Sequence, residues 1–286
     1  MEISKYLEKN ILVVAHDSGA ANQIYYLFKN HKKKIKTFIK GPALNIFKKN
    51  NYNNLIYAIQ TSGSILTGTS WQSKLEVNAI RLSKKFNKKV ISFVDEPYNL
   101  KHRFILNKKF YFPNIILAKD SETLSACKKF FPKEVKIIKT KDHFLEYVKK
   151  NKIKPLSNDI VYLSSNYDGV SSKLKKKNLK MDLRLLKIFL KKINQKNSLK
   201  KKKIYLRLHP AEDINKYLKN SDFKKMNIKI SKKKELLKCL NDFKYAFGCE
   251  TYGLAIAKNY GLRAYNNVTN TSIKPKILRK YNIKNF

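Results

Sequence analysis

Six short polar clusters, each following a short apolar run, carry most of the residues able to do chemistry in this chain. HDSGAAN starts at His16, GTSWQ at Gly68, DEPYN at Asp95, SSNYDG at Ser164, RLHP at Arg207 and GCETYG at Gly248. His16 beside Asp17 has the makings of a general base for a hydroxyl, and Gly19 permits a tight turn into a helix. Asp95 and Glu96 are adjacent carboxylates and an alternative base. Arg207 and His209, next to the stiffening Pro210, could hold a phosphate or diphosphate leaving group. Glu250, Thr251 and Tyr252 fall where a strand should turn into a helix, whose exposed N–H groups favour a phosphate. Ser164 and Ser165 could reach the same phosphate. Each feature has a plainer alternative: a strand-capping histidine, an ordinary N-cap, or a loop-stabilising hydrogen bond.

Residues so scattered need a scaffold that gathers them. The first half alternates short apolar runs with amphipathic stretches. Runs at Ile11–Ala15, Lys36–Ile39, Leu55–Ile59, Ser64–Thr67, Val90–Val94, Asn114–Ala118 and Val135–Ile138 are expected strands. Helices are expected at Ala20–Lys29, through GPALNIFKKN from Gly41, at Ser73–Phe86, and through DSETLSACKKFF with Ser121 or Asp120 as the cap. The second half restarts the pattern, with strands at Ile160–Leu163, Lys203–Leu208, Ile228–Ile230, Tyr245–Gly248 and Leu262–Tyr265. Its expected helices are Leu179–Ile193, Lys234–Leu240 and Glu250–Asn259. A polar, Pro-containing segment, 149–159, reads as the linker between them. The expected fold class is therefore α/β: two Rossmann-like domains, 1–150 and 151–286, with parallel sheets facing across a cleft. Ligands of such sheets bind at the carboxyl ends of the strands, where the polar clusters fall.

Composition narrows the function classes. The formal net charge is +43, yet only six of the 63 basic residues are Arg. Readers of nucleic acid rely on the bidentate guanidinium, so no specific nucleic-acid partner is expected. The remaining positive field would still attract nucleotide phosphates and allows peripheral contact with an anionic membrane surface. No apolar run approaches membrane-spanning length and the N-terminus lacks a signal-peptide pattern, so the expected location is the cytoplasm, with peripheral contact at the inner membrane face allowed. Cys127, Cys239 and Cys249 lack metal-ligand spacing, and neither G-x-G-x-x-G nor a P-loop is present. No cofactor or metal site is expected.

These clusters together resemble a GT-B glycosyltransferase of bacterial surface-polysaccharide assembly. RLHP at 207–210 resembles the HP motif of transferases that use cytidine-nucleotide donors: sialyl-, polysialyl- and Kdo transferases and glycerol-phosphate polymerases. The resemblance implies that His209 contacts the donor phosphate. It also implies that Thr251, in the turn Glu250–Tyr252, takes the place of a serine, and that Ser164 and Ser165 form the first-strand loop of the donor domain. TGTSWQ followed by FVDEPYNLKHRF resembles a stretch of polysaccharide-biosynthesis proteins with an aspartate at the Asp95 place. The acidic-acidic-Gly base motif of polysialyltransferases is not reproduced, since Pro97 follows Asp95 and Glu96. The implied partners are a nucleotide-sugar donor, CMP-linked in the closest motif, and a glycan or lipid-linked acceptor. Inverting, metal-independent transfer is the implied reaction; a sugar-nucleotide 2-epimerase or hydrolase and a non-enzymatic binder of anionic surfaces or nucleic acid are the alternatives.

Overall fold

The structure, a computed structural model, describes residues 3–29, 35–168, 180–267 and 278–286. The chain divides into two compact units, Met1–Tyr147 and Val148–Phe286.

In the first unit the strands are β1 (Ile11–Ala15), β2 (Ile35–Ile39), β3 (Ser64–Thr67), β4 (Lys89–Val94), β7 (Ile115–Ala118) and β8 (Lys136–Lys139), with a small hairpin of β5 (Ile105–Leu106) and β6 (Lys109–Phe110) between. They form a parallel six-stranded sheet in the order β2-β1-β3-β4-β7-β8. A parallel sheet is covered on both faces, so its central strands are apolar throughout. β1 obeys this by splitting its side chains. Ile11, Val13 and Ala15 pack with Ala21, Ile24 and Leu27 of the helix Ser18–Lys29. Leu12 and Val14 pack on the other face with Ala79 and Ile80 of the helix Leu75–Lys85.

The second unit holds β9 (Ile160–Leu163), β10 (Ile204–Arg207), β11 (Ile228–Ile230), β12 (Tyr245–Gly248), β13 (Arg263–Asn266) and β14 (Lys284–Asn285). This sheet too is parallel throughout, ordered β11-β10-β9-β12-β13-β14. Ile160, Tyr162 and Phe247 pack against Leu183, Leu186, Phe189 and Ile193 of the helix Met181–Asn194.

Both units are doubly wound, and each has one place where the winding reverses. In the first unit it lies between β1 and β3, in the second between β9 and β12. The crossovers leave these strand pairs toward opposite faces, opening a crevice outside their carboxyl ends. The strand ends at these crevices carry His16–Asp17 and Gly68–Ser70 in one unit, and Ser164–Ser165 and Gly248–Thr251 in the other.

One expected strand is a helix. Leu55–Gln60 is helical, capped by Asn54, whose side chain accepts the Tyr57 N–H at 3.0 Å. Ile56 and Tyr57 face solvent while Ala58 and Ile59 are buried, a helical rather than alternating pattern. The β-branched content of LIYAI argued for a strand, but the cap and the need for a crossover between β2 and β3 prevail. The start of the expected linker is likewise the last turn of a helix, His143–Lys150. The strand β14 has no counterpart in the sequence reading. Gly169, the last residue of SSNYDG, lies outside the described residues.

Candidate functional site

At the first switch point β1 ends on Ala15, and the chain turns at His16 and Asp17 into the helix Ser18–Lys29. The His16 Nδ1 lies 2.7 Å from Asp17 Oδ1, with both side chains about a quarter exposed, 24% and 23%. The imidazole edge at Nε2 lies over Gly41, where a Cβ would stand 2.4 Å from that nitrogen. Gly41 also has a φ of +56°, so glycine is required there on two counts. Beneath this pair is Glu76, in the first turn of the helix Leu75–Lys85 and only 1% exposed. Its Oε1 accepts the His16 main-chain N–H at 2.7 Å, and its Oε2 has no hydrogen-bond partner among the described residues. Burial, reinforced by the nearby Asp17 charge, pushes the Glu76 carboxyl up to about 7.

Asp95 and Glu96, one strand further along at the end of β4, are occupied differently. Arg103, 3% exposed, donates to Asp95 Oδ1 at 2.9 Å and to Glu96 Oε1 at 2.6 Å. It also donates to the Thr69 hydroxyl at 2.8 Å and to the Tyr98 carbonyl at 3.1 Å. Burial works against the guanidinium charge, but Asp95 and then Glu96 outweigh it and hold Arg103 above its ordinary value. The other oxygen of Asp95 sits over the first turn of the helix Ser18–Lys29, in the space a Gly19 side chain would fill; a Cβ there would lie 1.9 Å from Oδ2. Asp95 thus bridges the buried guanidinium and the first turn of that helix. His16, Asp17, Asp95 and Glu96 thus share one end of the sheet, with Glu76 and Arg103 joining them.

At the second switch point the loop after β9 brings Ser164 and Ser165, each 5% exposed, against the end of β12. Ser165 donates its hydroxyl to the Cys249 carbonyl at 2.6 Å, and Ser164 shares a hydrogen bond with Tyr217 at 3.3 Å. Beyond β12, Glu250 adopts a left-handed φ of +45° and is 4% exposed. Asn266, at the end of β13, secures this strained turn: it accepts the Glu250 N–H at 3.0 Å and donates to Oε1 at 2.6 Å. Glu250 Oε2 is buried without a partner among the described residues. Thr251 then caps the helix Tyr252–Tyr260, its hydroxyl accepting from Gly253 N–H at a long 3.4 Å. Neither Gly248 nor Gly253 could carry a side chain without meeting β9, at 2.7 Å from the Leu163 carbonyl and 3.0 Å from its Cδ1. The turn is therefore packed directly on the neighbouring strand.

The two residues of RLHP part company. The His209 Nδ1 accepts the Ala211 N–H at 3.2 Å, which fixes the neutral ring as the Nε2–H tautomer, a donor. Its main-chain N–H goes to Glu212 Oε2 at 2.7 Å. Glu212 also accepts from Tyr217 and pairs with Lys216, which in turn serves Asp182 at 2.8 Å and Asp168 at 3.5 Å. Asp182 receives the N–H groups of Tyr167 and Asp168. Burial and the Asp182 charge raise both Glu212 and Asp168, so these three acids and one ammonium form a tightly coupled cluster. It ties the His209 turn to the Ser164–Asp168 loop. Arg207 is aimed elsewhere: its guanidinium donates to the carbonyls of Leu208 at 3.2 Å and Lys234 at 2.9 Å, near Cys239, and burial lowers it. Its Nε is buried without a partner among the described residues. The side chain is thus committed to the β11 side of the sheet, whereas Ser164, Ser165, Glu250, Thr251 and Tyr252 stay at the switch point.

Glu76, Glu212 and Asn266 are the residues sequence reasoning missed. Arg103 stands in the sequence soon after Asp95 and Glu96, and the structure adds that it is buried against both.

Comparison with family models finds no match for the sequence, and neither does comparison with curated proteins. Solved structures do resemble it. A Listeria monocytogenes protein provisionally described as a UDP-N-acetylglucosamine 2-epimerase superposes with a TM-score of 0.58 at 9% identity, covering 93% of this chain and 80% of that one. The fold is GT-B. A glycotransferase of kitacinnamycin gives a TM-score of 0.48 at 9% identity over 96% and 84% of the two chains. An E. coli heptosyltransferase bound to an ADP-heptose analogue gives 0.43 at 11% over 93% and 91%. At such identities the likeness is one of fold. No helix among the described residues is long and apolar enough to cross a membrane.

Proposed function

We propose that the protein is a glycosyltransferase that moves a sugar from a nucleotide-sugar donor to a glycan or lipid-linked hydroxyl in surface-polysaccharide assembly. The observation that carries the reading is the placement of two chemically different polar sets at the two switch points. The set around β9 and β12 suits a donor. The N-terminus of the helix Tyr252–Tyr260 and the Thr251 hydroxyl face a phosphate, with Ser164 and Ser165 lining the same loop. Glu250 suits a hydroxyl rather than a phosphate, since its unpartnered oxygen is an acceptor. His209 offers an Nε2–H to the departing phosphate, as the HP-motif resemblance implies, and Arg207 reaches it only if its side chain leaves Lys234. A site of this kind stabilises the leaving group with side chains and a helix dipole, which suits an inverting, metal-independent transfer; the HP-motif resemblance is what points to a CMP-linked donor.

The set around β1 and β3 suits the acceptor. With Nδ1 on Asp17, proton exchange falls to His16 Nε2, making His16–Asp17 the better base; Asp95 and Glu96, clamped by Arg103, frame it. The +43 charge supports peripheral contact with an anionic membrane face, where a lipid-linked acceptor would reside.

Thermal-shift measurements with CMP, CDP, UDP, GDP and ADP test the donor half. A nucleotide at 100 times its Kd adds about 2.7 kcal/mol to stability. The shift should shrink in His209→Ala; full retention removes His209 from the pocket, and no shift with any nucleotide defeats the reading. The fold likeness to the Listeria protein favours a second reading, nucleotide-sugar 2-epimerisation or hydrolysis. Product formed from nucleotide sugar with no acceptor present would select it.

A further inference from the structure

We infer that the serines after β9 show a ligand oxygen acceptors and no protons. The second switch point then seats a ring bearing hydroxyl groups there, while phosphate stays with the start of the helix Tyr252–Tyr260. Assigning that ring to a nucleotide sugar rests on the function proposed above; the polarity of the serines does not.

The polarity emerges when each hydroxyl proton is traced to its partner. A carbonyl oxygen can only accept, so the 2.6 Å contact of Ser165 with the Cys249 carbonyl consumes the Ser165 proton. Ser164 is settled two steps away. Glu212 Oε2 takes the His209 main-chain N–H at 2.7 Å, and its Oε1 takes the Lys216 ammonium. Both partners are donors only, so Glu212 accepts through both oxygens, and Tyr217 donates to Oε1 at 3.0 Å. With its one proton spent on Glu212, the Tyr217 oxygen accepts from Ser164 at 3.3 Å. The protons thus run in one direction, from Ser164 through Tyr217 to Glu212. Tyr217 is 1% exposed and each serine 5%. Turning either serine hydroxyl toward a ligand would strip a buried acceptor of its donor.

Thr251 has the opposite polarity. Its oxygen accepts the Gly253 N–H, which leaves its proton for a ligand. It stands at the start of a nine-residue helix, where main-chain N–H groups add further donors. Donors for phosphate therefore lie at Thr251, at that helix start and at His209 Nε2–H. Acceptors lie at Ser164 and at Glu250, whose Oε2 is buried without a partner among the described residues. An ionised phosphate brings no proton to either oxygen, whereas a ribose or sugar hydroxyl does.

Solution NMR of hydroxyl protons tests the polarity without any ligand. Ser164 and Ser165 should each show a hydroxyl proton protected from exchange with water, and Ser165→Ala should remove one of them. Serine protons that exchange as fast as exposed ones overturn the inference. Titration calorimetry then reads the ligand. Its probes are inorganic pyrophosphate, the nucleotide giving the largest thermal shift, the dideoxyribose form of that nucleotide, and the matching nucleotide sugar. Ser164→Ala should weaken a hydroxyl-bearing ligand by about 3- to 10-fold and leave pyrophosphate unchanged. A loss with the nucleotide but not its dideoxy form assigns the hydroxyl to ribose. A loss with the nucleotide sugar alone assigns it to the transferred sugar. Equal loss with pyrophosphate, or no loss with any probe, overturns the inference. Should Ser164→Ala fail to fold, Glu250→Gln exchanges the other acceptor for an amide donor and must give the same pattern. Protected serine protons in a protein that binds no nucleotide leave the polarity standing and remove both the ring and the transferase reading.

Discussion

The two switch points solve the same electrostatic problem in opposite ways. Both gather buried acids at strand ends, where the low dielectric makes an unpaired charge expensive. In the first unit, one deeply buried arginine takes two carboxylates, Asp95 and Glu96, while Glu76 is left with a main-chain N–H and a neighbouring aspartate. In the second, one half-buried lysine serves Asp168, Asp182 and Glu212, and Glu250 is held by the neutral Asn266. The first arrangement separates a closed ion pair from a proton-holding acid. The second spreads one cation over the scaffold of a loop and keeps the switch point itself stocked with hydroxyls and N–H groups. The first switch point is thereby stocked with acids and a histidine, the second with hydroxyls and N–H groups.

The difference is most readily broken at the two cations. Arg103→Ala strands Asp95 and Glu96 and removes the link to Thr69, so it should cost about 3 to 5 kcal/mol in chemical denaturation. Lys216→Ala should cost less, about 1 to 3 kcal/mol, because that ammonium is partly solvated and its acids can take up protons instead. Equal losses at both positions would mean the two clusters are not different in kind.

The next effect separates the units by pH. The Glu76 carboxyl titrates near 7 in the folded protein against an ordinary 4.5. Between those values the folded chain holds a proton that the unfolded chain has released, so stability falls as pH rises through that window. At roughly 1.4 kcal/mol per pH unit the decline attributable to Glu76 is about 3 kcal/mol. Asp168 and Glu212 are raised in the same direction and add a decline of their own. Glu76→Gln should flatten the first part and leave the second. Denaturation curves at a series of pH values read the difference; a slope unchanged by Glu76→Gln would assign it all to the second unit.

Much of this layout was written in the chain, and what was not has a physical reason. Continuous apolar runs such as ILVVA and IVYL followed by polar clusters mark buried parallel strands and their carboxyl ends. His16, Asp17, Ser164 and Thr251 were therefore findable. Glu76 was not, because SKLEV reads as an acid in the first turn of a helix, where the dipole favours it and solvent usually covers it. Only the depth of that turn against β1 changes its meaning. Arg103 was legible as a basic residue following Asp95 and Glu96, but its pairing with both depends on the short helix Leu100–Phe104 turning it back onto them. Asn266 lies in a strand tip whose use depends on a turn 16 residues earlier. Leu55–Ile59 misled because a short apolar run has no periodicity long enough to tell helix from strand.

A smaller effect tests the seating of the histidine. Gly41→Ala would place a Cβ 2.4 Å from His16 Nε2 at a backbone φ of +56°. The ring must move off Asp17 or the turn must relax, at about 1 to 3 kcal/mol. Chemical denaturation of this variant reads that cost, and an unchanged stability would mean the ring tolerates displacement.

The smallest effect distinguishes a cap from a ligand site. Thr251→Ala removes an N-cap whose hydrogen bond is already long, so the stability loss should be at most about 1 kcal/mol. If the Thr251 hydroxyl also donates to a nucleotide phosphate, the thermal shift given by that nucleotide must fall by more than the cap alone explains. Thr251→Ser keeps the hydroxyl and should restore it. A nucleotide shift that survives Thr251→Ala in full would leave the residue as a cap only, and would move the phosphate toward His209. Because the cap loss is felt equally with and without ligand, the two contributions separate in a single pair of melting curves.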